Sequence, residues 1–129
     1  MDRSRLRILV ADDDRDLSEV YRRNLVKLGF TDVLIANNGE EAIVKTLEHR
    51  PHLVILDVMM PILNGWEVCK QIKSNPSLEG TRVIMLTAIG PSLNELTSPI
   101  YGADAYLDKP VDFSWIDREM KKLFPDDLA

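Results

Sequence analysis

Five short apolar runs, each separated from the next by a longer amphipathic segment, constrain this chain more than any other feature. The runs are 7–11, 32–36, 53–56, 82–86 and 105–107, and they are rich in Val, Ile and Leu. Uninterrupted apolar runs of this length read as strands covered on both faces. The segments between them read as helices. Leu17, Val20, Tyr21, Leu25 and Leu28 fall at helical spacing, and Gly29 follows as a stop. Asn38 caps a second helix with Glu40 and Glu41 in its first turn, where the dipole favours anions. Ala42, Ile43 and Leu47 share the apolar face of that helix, and Pro51 closes it. A third helix is expected over 64–73, with Val68, Cys69 and Ile72 inward and Asn75-Pro76 past its end. Asp112 caps a last helix carrying Trp115, Ile116, Met120 and Leu123, with Pro125 as terminator. Between the fourth and fifth strands, Pro91 suits a first helical turn, whereas Pro99 removes a helical hydrogen bond. The expectation for 91–101 is one short helix, over 92–98, with an irregular end.

Strand and helix alternate with short connections, which predicts an α/β fold: one parallel five-stranded sheet, doubly wound as (βα)5. The 129 residues amount to a single domain, 1–129, with a core over about 6–124 and short flexible ends. Lys plus Arg number 16 and Asp plus Glu 21, a net charge of −5, which makes a poor binder of nucleic acid backbone. The single cysteine, Cys69, excludes an internal disulfide and a cysteine-based zinc site. No apolar run approaches the roughly 18 residues that span a bilayer. The run at 8–11 is too short for a signal-peptide core. The chain therefore reads as soluble and cytoplasmic, without direct contact to membrane or nucleic acid.

The polar residues fall at one end of the expected strands. Asp12, Asp13 and Asp14 follow strand one, Asp57 follows strand three, Thr87 follows strand four and Lys109 lies just past strand five. In a parallel sheet those strand ends emerge on the same side, where open α/β sheets bind ligands. Crowded carboxylates repel and raise one another's pKa, a conflict that a divalent cation removes. Oxygen ligands without His or Cys point to Mg2+ rather than zinc. Mg2+, Lys109 and Thr87 together suit the oxygens of a phosphoryl group, and Asp57 suits a nucleophile toward phosphorus.

These stretches resemble the bacterial response-regulator receiver domain of the chemotaxis type. The resemblance rests on Ile8-Leu9-Val10-Ala11-Asp12-Asp13-Asp14, Leu56-Asp57-Val58-Met59-Met60-Pro61, Asn64-Gly65-Trp66-Glu67-Val68-Cys69, Met85-Leu86-Thr87-Ala88 and Gly102-Ala103-Asp104-Ala105-Tyr106-Leu107-Asp108-Lys109-Pro110, in that order. It implies a flavodoxin-like sheet of strand order 2-1-3-4-5, an order already known from chemotaxis receivers. By the same resemblance Asp57 is the phosphoacceptor, Asp13 a direct Mg2+ ligand, Asp12 an acidic partner acting mostly through water, and the Met59 carbonyl a further ligand. Lys109 pairs with the acids and then with the phosphoryl group, Thr87 moves to bind it, and Tyr106 turns inward in response. Lys109-Pro110 matches a peptide bond usually found cis. Met59 and Ile89 match positions bordering the path of the hydrolytic water; both are apolar, which implies slow self-dephosphorylation. The implied function is a phosphorylation-activated switch fed by a histidine kinase or phosphotransfer protein. It catalyses only its own phosphorylation and dephosphorylation. The face that changes is built from the segment after strand four, strand five and the last helix, for a downstream protein partner that stays unspecified, with homodimerisation left open.

Two other readings compete. An aspartate-dependent phosphatase carries a second carboxylate two positions after its nucleophile, where this chain has Met59. A receiver fold used only for protein binding usually lacks an acid, the threonine or the lysine, and here all are present. Elsewhere, Asp14 reads as a helix cap, Cys69 as core, and Met59-Met60-Pro61 as loop packing plus the carbonyl ligand. His49 and His52 lack a visible third metal ligand. Trp66 reads either as packing or as a partner contact.

Overall fold

A computed structural model describes residues 3–87 and 102–125, and of Thr87 its backbone. The elements run β1 (Arg7–Ala11), α1 (Arg15–Lys27), β2 (Asp32–Ala36), α2 (Gly39–His49), β3 (Leu53–Asp57), α3 (Gly65–Ser74), β4 (Arg82–Thr87), β5 (Ala105–Asp108) and α4 (Phe113–Leu123). The strands form one parallel sheet in the order β2-β1-β3-β4-β5. This is the expected doubly wound arrangement. The short helix expected over 92–98 lies outside the described residues.

The alternation of side chains along each central strand divides the core into two layers. Ile8, Val10, Leu53, Ile55, Ile84 and Leu86 face α1 and α4, where they meet Tyr21, Leu25, Ile116 and Met120. Leu9, Val54, Leu56, Val83 and Met85 face α2 and α3, where they meet Ala42, Val68, Cys69 and Ile72. β1 and β3 therefore have to be apolar at almost every position, and full burial of each Leu or Ile contributes about 1.5–3 kcal/mol. The outer strands differ from the expectation of two covered faces. β5 is half-buried throughout and β2 is half-buried over its first four residues. They are the sheet's edges and have a neighbour on one side only. The Lys45 ammonium donates to the Ile35 carbonyl, so a charge sits on the β2 backbone.

Three of the helix caps, Asp14, Asn38 and Asp112, follow the sequence reading, whereas Asn64, read as the first residue of the third helix, is its cap. Asp14, Asn38, Asn64 and Asp112 each stand in extended backbone and accept amide hydrogen bonds from the first turn of α1, α2, α3 and α4. Two apolar faces need correction. On α1 the buried residues are Ser18, Tyr21 and Leu25, while Val20 is 40% exposed. On α2, Thr46 is buried and Leu47 is 45% exposed. Thr46 is tolerated inside because its hydroxyl donates to the Ala42 carbonyl at 2.7 Å. Arg3 ties the start of the described chain to two elements. Arg3 donates to the Leu28 carbonyl at 2.8 Å, pairs with Asp117 of α4, and lies 4.8 Å from the Phe30 ring centroid. At the opposite end of the sheet from the strand-end acids, Lys73 of α3 pairs with Asp104 at 2.6 Å. Asp104 also accepts the Val83 amide at 2.7 Å.

Candidate functional site

Strand register builds the site. Ala11 pairs with Leu56 across β1 and β3, so the next residues, Asp12 and Asp57, leave the sheet side by side. Thr87, the last residue of β4, pairs with Asp108, and Lys109 follows directly. One end of the sheet thus gathers residues that lie far apart in sequence. Gly65 holds α3 against this end: a Cβ there would stand 2.4 Å from the Asp57 carbonyl oxygen. Its amide instead approaches and donates to the Val58 carbonyl at 2.9 Å.

Asp12 and Asp57 are buried, at 1% and 4% exposure, whereas Asp13 is exposed. The Lys109 ammonium donates to Asp57 Oδ2 at 3.0 Å and stands 3.6 Å from Asp12 Oδ2. Asp57 Oδ1 accepts the Met59 amide at 3.3 Å, and Asp12 Oδ1 accepts the Asp14 amide at 3.0 Å. Asp12 Oδ2 is buried without a hydrogen-bond partner. Burial pushes the Asp12 carboxyl up to about 6, and the charges of Asp57 and Asp13 push the same way. The Asp14 amide and the Lys109 ammonium oppose them. For Lys109, burial favours loss of its proton. The hydrogen bond and charge of Asp57, together with Asp12, outweigh burial and hold the ammonium above its ordinary range.

The donor set fits a hard divalent cation. Asp12, Asp13 and Asp57 each offer a carboxylate oxygen, and these atoms lie within 4.8 Å of one another. One oxygen of Asp12 is left over by the hydrogen bonds of the protein, and no soft ligand stands among the three. It is the one such group of three or more His, Cys, Asp or Glu among the described residues.

The other expected residues sort as follows. Asp14 caps α1, as anticipated. Tyr106 is half-buried on β5, with its ring centroid 6.0 Å from that of the likewise half-buried Trp66. The Lys109-Pro110 bond is cis. Met59 is 71% exposed, which corrects the reading of loop packing; within that trio only Met60 is buried. Cys69 is buried in the α3 layer, and burial pushes its thiol up to about 12. His52 accepts the Arg7 amide through Nδ1 at 3.0 Å, a local cap on β1. The Thr87 side chain and Ile89 lie outside the described residues. Sequence reasoning missed Ser18 and Asn37, which bind the backbone behind Asp12. The available signal was a serine on the inward face of α1, in step with Tyr21 and Leu25.

With this geometry in place, comparison with known proteins decides the family. A model of the response regulator receiver domain matches residues 8–121. The chain belongs to this family. The receiver domain is 37% identical over 110 residues to the probable transcriptional regulator ycf27 of Porphyra purpurea, covering 85% of this chain and 44% of that one. It is 38% identical over 128 residues to the response regulator MprA of Mycobacterium leprae, covering 96% and 55%. The receiver domain thus spans about half the length of these relatives. The crystal structure of the response regulator TrrA of Thermotoga maritima, in complex with Mg2+ and BeF, superposes with a TM-score of 0.80 at 35% identity. It covers 92% of this chain and 98% of that one. Receiver domains are signalling switches rather than enzymes in the usual sense. No described helix is long and apolar enough to cross a membrane.

Proposed function

We propose that this receiver domain is a switch set by phosphorylation of Asp57. The observation that carries this reading is Lys109, held between two buried carboxylates of which Asp12 keeps an unused oxygen. Asp13, Asp57 and the Met59 carbonyl would hold Mg2+, with the Asp12 carboxylate beside them, and the Mg2+–BeF complex of TrrA supports that choice of ion. When bound, Mg2+ supplies charge neutralisation between the carboxylate and the incoming phosphoryl oxygens.

Asp57, which accepts a hydrogen bond from the Lys109 ammonium, is the nucleophile. Its oxygen forms the O–P bond as the N–P bond of a donor histidine breaks, and the electron pair returns to that nitrogen. The donor is a histidine kinase or a phosphotransfer protein. Lys109 then follows the new negative charge onto the phosphoryl group. Thr87 donates its hydroxyl to a phosphoryl oxygen, and Tyr106 turns inward past Trp66. The face that changes includes β5 and α4, and it serves a downstream protein in the cytoplasm. Phosphorylation shifts a population between two states in proportion to its differential interaction with them.

Intact mass after incubation with acetyl phosphate tests the reading. The expected result is a Mg2+-dependent gain of one phosphoryl group, lost in Asp57→Asn. A folded wild type that gains none, or labelling that survives in Asp57→Asn, overturns it.

A further inference from the structure

Three aspartates in succession beside a fourth carboxylate repel one another, and the least costly relaxation is for the backbone at 12–14 to swing its acids apart into water. In this structure that backbone is held on both sides of Asp13, at Asp12 and at Asp14. The Asp12 amide donates to the Ala36 carbonyl at 3.0 Å, continuing the β1–β2 ladder. The Asp12 carbonyl has passed the end of the ladder and is met by two side chains instead. Asn37 Nδ2 donates to it at 3.0 Å and Ser18 Oγ lies 3.2 Å away. The same Ser18 hydroxyl lies 3.0 Å from the Asp14 carbonyl, and Asn37 Nδ2 stands 3.5 Å from Ser18 Oγ. The Asp14 carbonyl also accepts the Ser18 amide at 2.9 Å, so the one hydroxyl proton is free to join Asn37 Nδ2 on the Asp12 carbonyl.

The two residues come from different elements. Ser18 is on α1 and fully buried, and Asn37 is in the loop entering α2. A serine at a core position costs packing, and its hydroxyl is spent entirely on the acidic loop. Asn37 is itself tied down. Its backbone amide, with the Lys45 ammonium one turn further along α2, holds the Glu41 carboxyl below its usual range; the Lys45 contribution is the larger. The restraint on Asp12 therefore rests on two helices rather than on the loop alone.

We infer that Ser18 and Asn37 are positioning residues that hold the Asp12–Asp13 backbone in a cation-binding arrangement against the mutual repulsion of its carboxylates. The inference rests on the metal reading proposed above. Neither residue touches the ion. Their effect runs through the Asp12 carbonyl, so it is felt as metal affinity. Partners one step behind a metal ligand typically govern affinity by about 10–100-fold.

The test is calorimetric titration of MgCl2 into the purified metal-free domain, with thermal unfolding measured alongside in EDTA. Ser18→Ala and Asn37→Ala are each expected to weaken Mg2+ binding about tenfold. The double variant is expected to lose less than the product of the two, because both act on one carbonyl. Lys73→Ala, at the far end of the sheet, serves as the stability control. It is expected to lower the unfolding temperature while leaving Mg2+ affinity at the wild-type value. If Ser18→Ala does not fold, the half-buried Asn37 carries the test alone. Affinity within twofold of wild type in Asn37→Ala, whatever its unfolding temperature, overturns the positioning role. A wild type that binds no Mg2+ overturns the metal reading and this inference with it. Weak binding in the variants beside normal binding in the wild type supports both.

Discussion

Lys109 Nζ stands 3.0 Å from Asp57 Oδ2 and 3.6 Å from Asp12 Oδ2, so one ammonium is shared between two buried carboxylates. One positive charge cannot balance two negative ones in a poorly hydrated pocket, and the shortfall falls on Asp12, the acid with the unsatisfied oxygen. The metal-free domain therefore carries electrostatic strain that a cation or a phosphoryl group is positioned to redistribute.

That strain has a pH signature. Burial first, and then Asp57, raise the Asp12 carboxyl from 3.8 to about 6 in the folded protein. Between those two values the folded state binds more protons than the unfolded one, so stability falls as pH rises through the window. The loss amounts to about 3 kcal/mol, at about 1.4 kcal/mol per pH unit. Urea unfolding in EDTA is expected to show this decline between about pH 4 and pH 6. Asp12→Asn is expected to flatten it and to stabilise the domain at pH 7.5. A wild-type profile that is flat or rising over that interval contradicts the assignment.

Trp66 is a built-in reporter of Tyr106. The two rings lie 6.0 Å apart at 38°, close enough that any turn of the tyrosine changes the surroundings of the indole. Trp115→Phe leaves Trp66 as the sole tryptophan. In that background, emission is expected to shift on phosphorylation with acetyl phosphate and Mg2+. Tyr106→Leu is expected to abolish the shift while the mass gain on Asp57 persists. An unchanged spectrum at full phosphorylation removes Tyr106 from the switch.

Met59 projects into solvent two residues past Asp57 and offers no group to orient an attacking water. The aspartyl phosphate is expected to be long-lived. Met59→Asn is expected to hasten its decay about tenfold, corresponding to about 1.4 kcal/mol of barrier. Time-resolved intact mass after removal of the donor measures this directly, and equal decay rates would discard the explanation.

Ile62 adopts φ = 73° and is 68% exposed, a left-handed conformation that a β-branched residue resists. The conformation costs about 1–2 kcal/mol, and so exposed a side chain recovers little of it by burial. Ile62→Asn, which tolerates that backbone, is expected to raise stability by about 1 kcal/mol in denaturant unfolding. A loss of stability would mean that the Ile62 side chain makes contacts worth more than the strain.

Much of this was legible because it is local. The caps at Asp14, Asn38 and Asp112 depend on a side chain and the amides two or three residues on, and all three appear where the sequence places them. The strand runs and the Asp12, Asp57 and Lys109 positions at strand ends are local in the same sense. Val20 and Leu47 were misread because helical spacing defines a stripe without saying how wide the neighbouring layer is. The polar Ser18 and Thr46 took inward positions because each found a carbonyl within reach.

The sequence by itself determined the elements, their order, the parallel sheet that such alternation requires, and which residues stand at the carboxyl ends of its strands. Only the tertiary structure decided how those residues meet. The pairing of Ala11 with Leu56 sets Asp12 beside Asp57, and closure at β5 brings Lys109 within 3.0 Å of an acid 52 residues away. The pairing of Ala11 with Ala36 across β1 and β2 brings Asn37 under the Asp12 carbonyl, and one oxygen of Asp12 is left without a hydrogen bond. The physical reason is range. Propensity, capping and periodicity act within a few residues. Burial, charge sharing and hydrogen bonds across elements exist only after the sheet has brought distant strand ends to the spacing of neighbouring chains.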